Sequence, residues 1–353
     1  MSRFFQNKTL TPYTPGEQPK DRRFIKLNTN ESPFPPSPIV LDAVSREETG
    51  RLNLYPDPTA GLLVNEIARA YNLGPSQVAV GNGSDELLAF AFLAFCDKNT
   101  GAAFADITYG FYEVWADLFR IDALKMPLDD DFALNVKLYA GLKRTIFIAN
   151  PNAPTGLCLP LADIETILKG NPDNVIVVDE AYIDFGGESA AKLLPMYDNL
   201  LIISTFSKSR NLAGMRIGYA LGGKELIADL NTVKYSFNPY SLDRLAILAG
   251  AAAVRDADYF KSCTEKIILE REKAKKALEN MGFFVTDSKT NFLFAKHDRI
   301  HASELYSLLR EKGILVRHFN TNKIDNFLRV TIGSSNEMKI FIEKMEEILN
   351  EDG

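Results

Sequence analysis

Two short runs, almost continuously apolar and rich in β-branched residues, constrain this chain more than anything else in it. They are R-T-I-F-I-A at residues 144–149 and N-V-I-V-V at residues 174–178. A strand with one wet face alternates apolar and polar side chains. Runs of this kind belong instead to strands buried on both faces, the situation of a parallel sheet covered by helices on each side. The surrounding segments supply those helices. G-L-L-V-N-E-I-A-R-A-Y-N, from Gly61, has amphipathic helical spacing, and Ser84 to Cys96 reads as a second, very apolar helix. Between them Gln77–Val80 suits a short strand, and Leu200–Ser204 reads as a further one. Strands alternating with helices imply βαβ units, so the expected fold is α/β, with a mostly parallel central sheet sandwiched by helices.

The pattern divides the 353 residues into three parts. The first 40 residues hold seven prolines (Pro12, Pro15, Pro19, Pro33, Pro35, Pro36, Pro38) and little periodicity, which describes an extended arm. After about Tyr240 the character changes to a long helical region, Ser241–Glu279, that stops near Gly282. Strand-like runs follow at 291–295, 314–317 and 327–332, with helices at 302–312 and 335–350. The predicted organisation is an arm over residues 1–35, a large domain over 36–240 and a smaller α+β domain over 241–353.

Composition excludes several function classes. A formal net charge of −6 with no dense Lys/Arg cluster offers no face for nucleic acid. No apolar run reaches the roughly 20 residues of a membrane helix, and M-S-R-F-F-Q-N-K lacks the apolar core of a secretory leader. Three scattered cysteines (Cys96, Cys158, Cys263) fit a reducing, cytoplasmic setting and no metal site. His297 and His301 share helical spacing without further ligands, and are expected to face solvent.

Chemistry concentrates where an open α/β sheet places its ligand, at the carboxyl ends of its strands. S-T-F-S-K-S-R-N-L-A-G-M-R, residues 204–216, sets Lys208 beside the hydroxyls of Thr205 and Ser207 and upstream of Arg216. A lysine at a fixed point with anion ligands beside it is what an enzyme needs to bond a phosphorylated aldehyde cofactor, although a surface lysine in a polar turn satisfies the same letters. V-A-V-G-N-G-S-D-E, residues 78–86, runs a strand through Gly81 and Gly83 into a helix opening at Ser84 and Asp85. Free N–H groups and the dipole of a helix start favour an anion there; a plain glycine turn capped by Ser84 is the alternative. The spacing is neither a dinucleotide fingerprint nor a P-loop, which argues against a nicotinamide oxidoreductase. V-I-V-V-D-E-A-Y, residues 175–182, puts Asp179 at the end of a buried strand, where a carboxylate needs a cationic partner such as a protonated pyridine nitrogen or serves as a helix cap. N-P-N-A-P-T-G (150–156) fixes a turn with amide donors at the same edge, and T-Y-G-F-Y (108–112) offers Tyr109 to stack on a planar ring or to pack in the core.

Taken in order, these motifs resemble the fold-type-I pyridoxal-phosphate enzymes of the aspartate aminotransferase superfamily, a class-II aminotransferase family. T-P-Y-T-P-G-E, L-N-T-N-E-S-P-F-P-P-S-P, L-Y-P-D-P and L-R-V-T-I-G-S make the chain most similar to the histidinol-phosphate group, over nearly the whole length. The resemblance implies pyridoxal 5′-phosphate as cofactor, with Lys208 bonding it and then moving the substrate proton. It implies Asp179 on the pyridine nitrogen, Tyr109 stacked on the ring and Tyr182 on the 3′ oxygen. Ser84, Asp85, Thr205, Ser207 and Arg216 would hold the phosphate, with Tyr55 reaching the neighbouring subunit's cofactor in a homodimer. Arg329 would grip the substrate anion, assisted by Arg317 and by Tyr13 from the partner's arm. The implied reaction converts histidinol phosphate and 2-oxoglutarate into imidazole-acetol phosphate and glutamate. A threonine-phosphate decarboxylase and a broad aromatic aminotransferase share the fold; a non-catalytic pyridoxal-phosphate-binding regulator would need a further DNA-binding domain.

The chain departs from the family pattern in one place that matters. Ala153 stands where relatives carry the asparagine before Pro-Thr-Gly, so either Asn152 substitutes for it or Tyr182 alone contacts the 3′ oxygen. Ile107, where proline is frequent, is a smaller departure.

Overall fold

The computed structural model describes residues 10–19 and 22–351. The start of the arm, where the sequence shows no leader core, lies outside the described residues. A seven-stranded sheet dominates the first two-thirds of the chain. Its spatial order is Val78–Asn82, Ile217–Gly222, Leu200–Thr205, Ile176–Asp179, Thr145–Ala149, Ala102–Ala105, Ala123–Met126. All neighbours pair in parallel except Ile217–Gly222, which is antiparallel to the strands on both its sides.

The apolar runs do what their composition requires. Ile146, Ile148, Ile176, Val178, Leu200 and Ile202 face one hydrophobic core, shared with the helices Gly61–Ala70, Leu161–Gly170 and Arg244–Arg255. The residues between them (Phe147, Val177, Leu201, Ile203) face a second core, shared with the helices Gly83–Phe95, Phe111–Phe119 and Lys224–Phe237. With period-2 alternation and apolar residues at every position, neither face can be left to solvent. Each fully buried Val, Leu or Ile contributes about 1.5–3 kcal/mol.

The later residues build a separate four-stranded antiparallel sheet, in the order Arg317–His318, Leu328–Thr331, Phe292–His297, Phe283–Val285, with its own core of Leu293, Val330, Phe341 and their neighbours. Between the two sheets run Arg244–Arg255 and Ala257–Asn280, two helices where the sequence pattern suggests one. Asp256 separates them, its side chain accepting from the Tyr259 N–H at 3.2 Å as an N-cap. The proline-rich segment also contributes structure. Ile25–Lys26 pairs in parallel with Ile314–Leu315, so residues 27–30 are drawn along the edge of the smaller sheet towards the larger one.

His297 differs from its expected place. It ends a strand, is 3 % exposed and packs against Phe283 at 4.8 Å between ring centroids. Strand geometry, not the helical spacing to His301, sets its direction. No described helix is long and apolar enough to cross a membrane.

Candidate active site

Parallel register brings the carboxyl ends of the central strands together. Ala149 pairs with Asp179, which in turn pairs with Ile203, so the chain after each of these strands opens on the same edge. A cavity of about 100 Å³ lies there, lined by Ser84, Asp85, Tyr109, Ala153, Asp179, Tyr182, Thr205, Ser207, Lys208 and Arg216 among others. Tyr109, Ala153, Tyr182 and Lys208 also line a wider cavity of about 480 Å³ that continues to Tyr13, Arg317 and Arg329.

Asp179 is 5 % exposed, and its carboxylate accepts from the Tyr112 hydroxyl at 2.9 Å and the Ala181 N–H at 3.1 Å. Burial pushes its pKa up to about 6, although both hydrogen bonds pull the other way. Among the described residues it has no ion-pair partner. A buried carboxyl group aimed into a cavity and held by two donors is placed to receive a cation.

A few residues away, donors converge as an anion cradle would require. Gly83 has φ of +80°, and a Cβ there would lie 2.6 Å from the Arg216 guanidinium. Glycine therefore both permits the turn and leaves room for the arginine to fold over the start of the Gly83–Phe95 helix. Gly218 has the same function on the neighbouring strand, since a Cβ would come within 2.4 Å of the Ser84 nitrogen. Arg216 pairs with Asp85 at 3.0 Å and lies 3.4 Å from the Ser207 hydroxyl, which is 2.9 Å from that of Thr205. The helix starts one residue earlier than the sequence suggests, with Asn82 as its N-cap residue and Glu86 accepting from the Asn82 N–H at 2.7 Å.

Tyr109 donates to Asp85 at 2.7 Å; burial, then the Asp85 charge, pushes its phenol well above its ordinary pKa, which fits a ring used for stacking. Lys208 is half-buried, its Nζ 3.5 Å from the Thr29 carbonyl and 5.8 Å from the Tyr182 ring centroid. Tyr182 receives a hydrogen bond from the Asn30 side-chain amide at 2.9 Å.

In the wider cavity Arg329 donates to the Asn28 carbonyl at 3.1 Å, while its Nε is buried with no partner among the described residues. Its cross-strand neighbour is Arg317, which donates to the Thr14 and Pro15 carbonyls at 3.1 and 3.4 Å. Burial pushes the Arg329 pKa down, with Arg317 adding to the effect. Two neighbouring guanidiniums, one with an unused buried donor, make a site for an anion.

One sequence expectation, Asn152 as a cofactor contact, meets a different geometry. Asn152 does not reach the smaller cavity: its amide donates to the Ile107 carbonyl and the Thr155 hydroxyl, both at 3.0 Å, and its oxygen accepts from Thr108 at 2.8 Å. The side chain is consumed in tying its own loop to the Ile107–Thr108 segment, and Ala153 lines the cavity in its place. In the single chain its own Tyr13 lines the wider cavity. It stacks on Phe111 at 4.3 Å, with the arm tied down by Arg317 and by Glu17, which accepts from Tyr306 at 2.7 Å and Arg310 at 3.3 Å. Tyr55 lies away from both cavities, 79 % exposed and stacked on Tyr240 at 4.7 Å. Two contributors were absent from the motif reading, Tyr112 and Asn30. Tyr112 sits three residues after Tyr109, at helical spacing, and Asn30 sits inside L-N-T-N-E-S-P.

The whole arrangement has known counterparts. The family model for aminotransferase class I and II matches residues 22–345. The chain belongs to that family. It is similar to the histidinol-phosphate aminotransferase of Brachyspira hyodysenteriae, 52 % identical over 343 residues and 97 % of both chains. The enzyme of the same name from Clostridium acetobutylicum is 50 % identical over 351 residues, covering 99 % of this chain and 100 % of the other. In structure the chain is similar to histidinol-phosphate aminotransferase from Sinorhizobium meliloti in complex with pyridoxal-5′-phosphate, with a TM-score of 0.89 at 24 % identity, covering 100 % of this chain and 99 % of that one. The residues present fit pyridoxal 5′-phosphate: an uncompensated buried carboxylate for the pyridine nitrogen, a hydroxyl, guanidinium and helix-start cradle for the phosphate, and a lysine between them.

Proposed function

We propose that the enzyme transfers the amino group of histidinol phosphate to 2-oxoglutarate, acting as a cytoplasmic homodimer with the smaller sheet as a separate C-terminal domain. The observation that supports this best is the placement of Lys208 on both of two adjoining cavities, one lined by Asp179 and the other by Arg329, in a chain about half identical to histidinol-phosphate aminotransferases over nearly its full length. Bound pyridoxal phosphate supplies an aldehyde for the substrate amine and a ring that takes up the electrons released at Cα. Asp179 would keep the pyridine nitrogen protonated. Ser84 and Asp85 N–H groups with Thr205, Ser207 and Arg216 would hold the phosphate, Tyr109 would cover the ring and Tyr182 would serve the 3′ oxygen. Lys208 would take the proton from the substrate Cα and deliver it to the cofactor's aldehyde carbon. The exposed Tyr55 is assigned to the neighbouring subunit's site.

Arg329 and Arg317 receive the anionic end of each substrate. A guanidinium fork pairs with carboxylate and phosphate alike, so one site serves both half-reactions. Arg329→Lys should raise KM for histidinol phosphate and 2-oxoglutarate together by about 10–100-fold, with a smaller change in kcat, because an ammonium cannot pair bidentately. Steady-state kinetics with each substrate checks this, and a loss confined to one substrate contradicts a shared site.

Single half-reactions test the reading directly. Histidinol phosphate added alone to the loaded enzyme should convert the visible cofactor absorbance to that of pyridoxamine phosphate, and 2-oxoglutarate should restore it. No conversion with histidinol phosphate overturns the substrate assignment.

A further inference from the structure

We propose that Asn30 is a positioning residue that fixes the direction of the Tyr182 proton, so that Tyr182 enters the cofactor site as a hydrogen-bond donor. The inference rests on the reading of Tyr182 as the residue facing the cofactor's 3′ oxygen.

Asn30 is 1 % exposed and has φ of +56°, a left-handed conformation that asparagine tolerates better than most residues. Its amide orientation is settled by Thr331. The Thr331 hydroxyl accepts from the Asn30 N–H at 2.9 Å, so its own proton is free to point to Asn30 Oδ1, also at 2.9 Å. That leaves Asn30 Nδ2, which can only donate, to face the Tyr182 oxygen at 2.9 Å. The backbone is equally constrained: Asn291 donates to the Asn30 carbonyl at 3.0 Å, and the Thr331 N–H donates to the Leu27 carbonyl at 2.9 Å.

A phenol has one proton. With Asn30 already donating to its oxygen, Tyr182 cannot turn that proton towards Asn30, and no described residue accepts it. It is therefore directed into the cavity that Tyr182 shares with Lys208 and Asp179. The device matters in this chain because Ala153 brings no side-chain donor to the cavity and the Asn152 amide is spent on Ile107 and Thr155. One tyrosine carries the contact, so its proton has to be aimed. The Thr331 link also ties that aim to the strand Leu328–Thr331, which carries the anion-binding Arg329.

The readout is the pH midpoint at which the visible absorbance of the cofactor-loaded protein changes. A hydrogen bond donated to the 3′ oxygen favours its more negative form, so losing the bond raises the midpoint. Tyr182→Phe should raise it by about one to two pH units, the size of a hydrogen bond to a charged oxygen. Asn30→Gly keeps the left-handed backbone and should raise it by about half a unit to one unit, being a partial loss of the same bond. Combined with Tyr182→Phe, Asn30→Gly should add nothing, because its effect passes through the phenol. Thr331→Val, which removes the hydroxyl that orients the amide, should shift the midpoint the same way by less. It carries the test if Asn30→Gly does not fold. An unmoved midpoint in both single variants, or an equal shift with and without the Tyr182 hydroxyl, overturns the role of Asn30. An unmoved midpoint in Tyr182→Phe overturns the placement of Tyr182 as well. Neither result depends on histidinol phosphate, so neither bears on the substrate assignment.

Discussion

Lys208→Ala should lower kcat by about 10⁴-fold or more while the protein continues to bind pyridoxal phosphate. The loss is large because one amine serves twice, first as the group that bonds the cofactor and then as the base at Cα, and no other side chain stands in its place. Asp179 is committed to Tyr112 and Ala181, and Tyr109 to Asp85. Retention of the cofactor follows from the independence of the other contacts. The Gly83 turn, the Thr205–Ser207 hydroxyl pair and the Arg216 guanidinium do not rest on Lys208, whose polar contact is with the Thr29 carbonyl at 3.5 Å. Turnover and cofactor stoichiometry after dialysis read the two halves of the prediction separately. Near-normal turnover would falsify the role of the lysine; loss of the cofactor would show that the covalent bond, not the cradle, retains it.

The parts of this molecule that could be read from sequence are those set by local pattern. The strands Thr145–Ala149, Ile176–Asp179 and Leu200–Thr205 announce themselves because burial on both faces removes every polar residue from their middles. Ile217–Gly222 does not, since two glycines interrupt its run and its antiparallel direction has no local sign. Ala102–Ala105 has three alanines among its four residues, which suit a helix as well. In the site, Lys208, Asp179, Ser84 and Arg216 lie in motifs whose letters have a chemical reason, and the structure gathers them around one cavity. Tyr112 and Asn30 act across long sequence separations, from residue 112 to 179 and from 30 to 182, and a motif cannot show that. Asn152 marks the opposite limit. Its position beside Ala153 suggests a cofactor contact, yet an amide two bonds from the backbone can turn either way, and here Thr155 in its own loop and Ile107 and Thr108 across from it decide the matter.

Asp179→Asn should move activity and stability in opposite directions. Without the negative charge, the pyridine nitrogen loses the partner that keeps it protonated, and kcat should fall by about 10²–10⁴-fold, in line with breaking a buried ion pair worth about 3–5 kcal/mol. The cofactor-free protein should respond the other way. In the folded state burial raises the Asp179 pKa to about 6 from an ordinary value of 3.8. A group with a raised pKa binds its proton more tightly folded than unfolded, so its contribution is fully present below about pH 4 and is lost as pH rises through about 6. At pH 7–8 the wild-type apoenzyme therefore carries a cost on the order of 3 kcal/mol from this carboxylate, which asparagine removes. Tyr112 can turn its hydroxyl to accept from the new amide, and the phenol proton that this leaves without an acceptor offsets part of the gain. The difference in Tm between the two cofactor-free proteins should be near zero at pH 4, open between pH 4 and 6 and not narrow above it. Glu180 is pushed up to about 8 mainly by its own burial and titrates in both proteins; the part of its rise that comes from the Asp179 charge is lost in the variant, which widens the gap in the same direction. Loading with pyridoxal phosphate should close or reverse the gap, because the wild-type carboxylate then has its cation. A variant less stable than wild type at pH 7 in the cofactor-free state would mean that Asp179 already has a compensating charge, and that the site is not waiting for one.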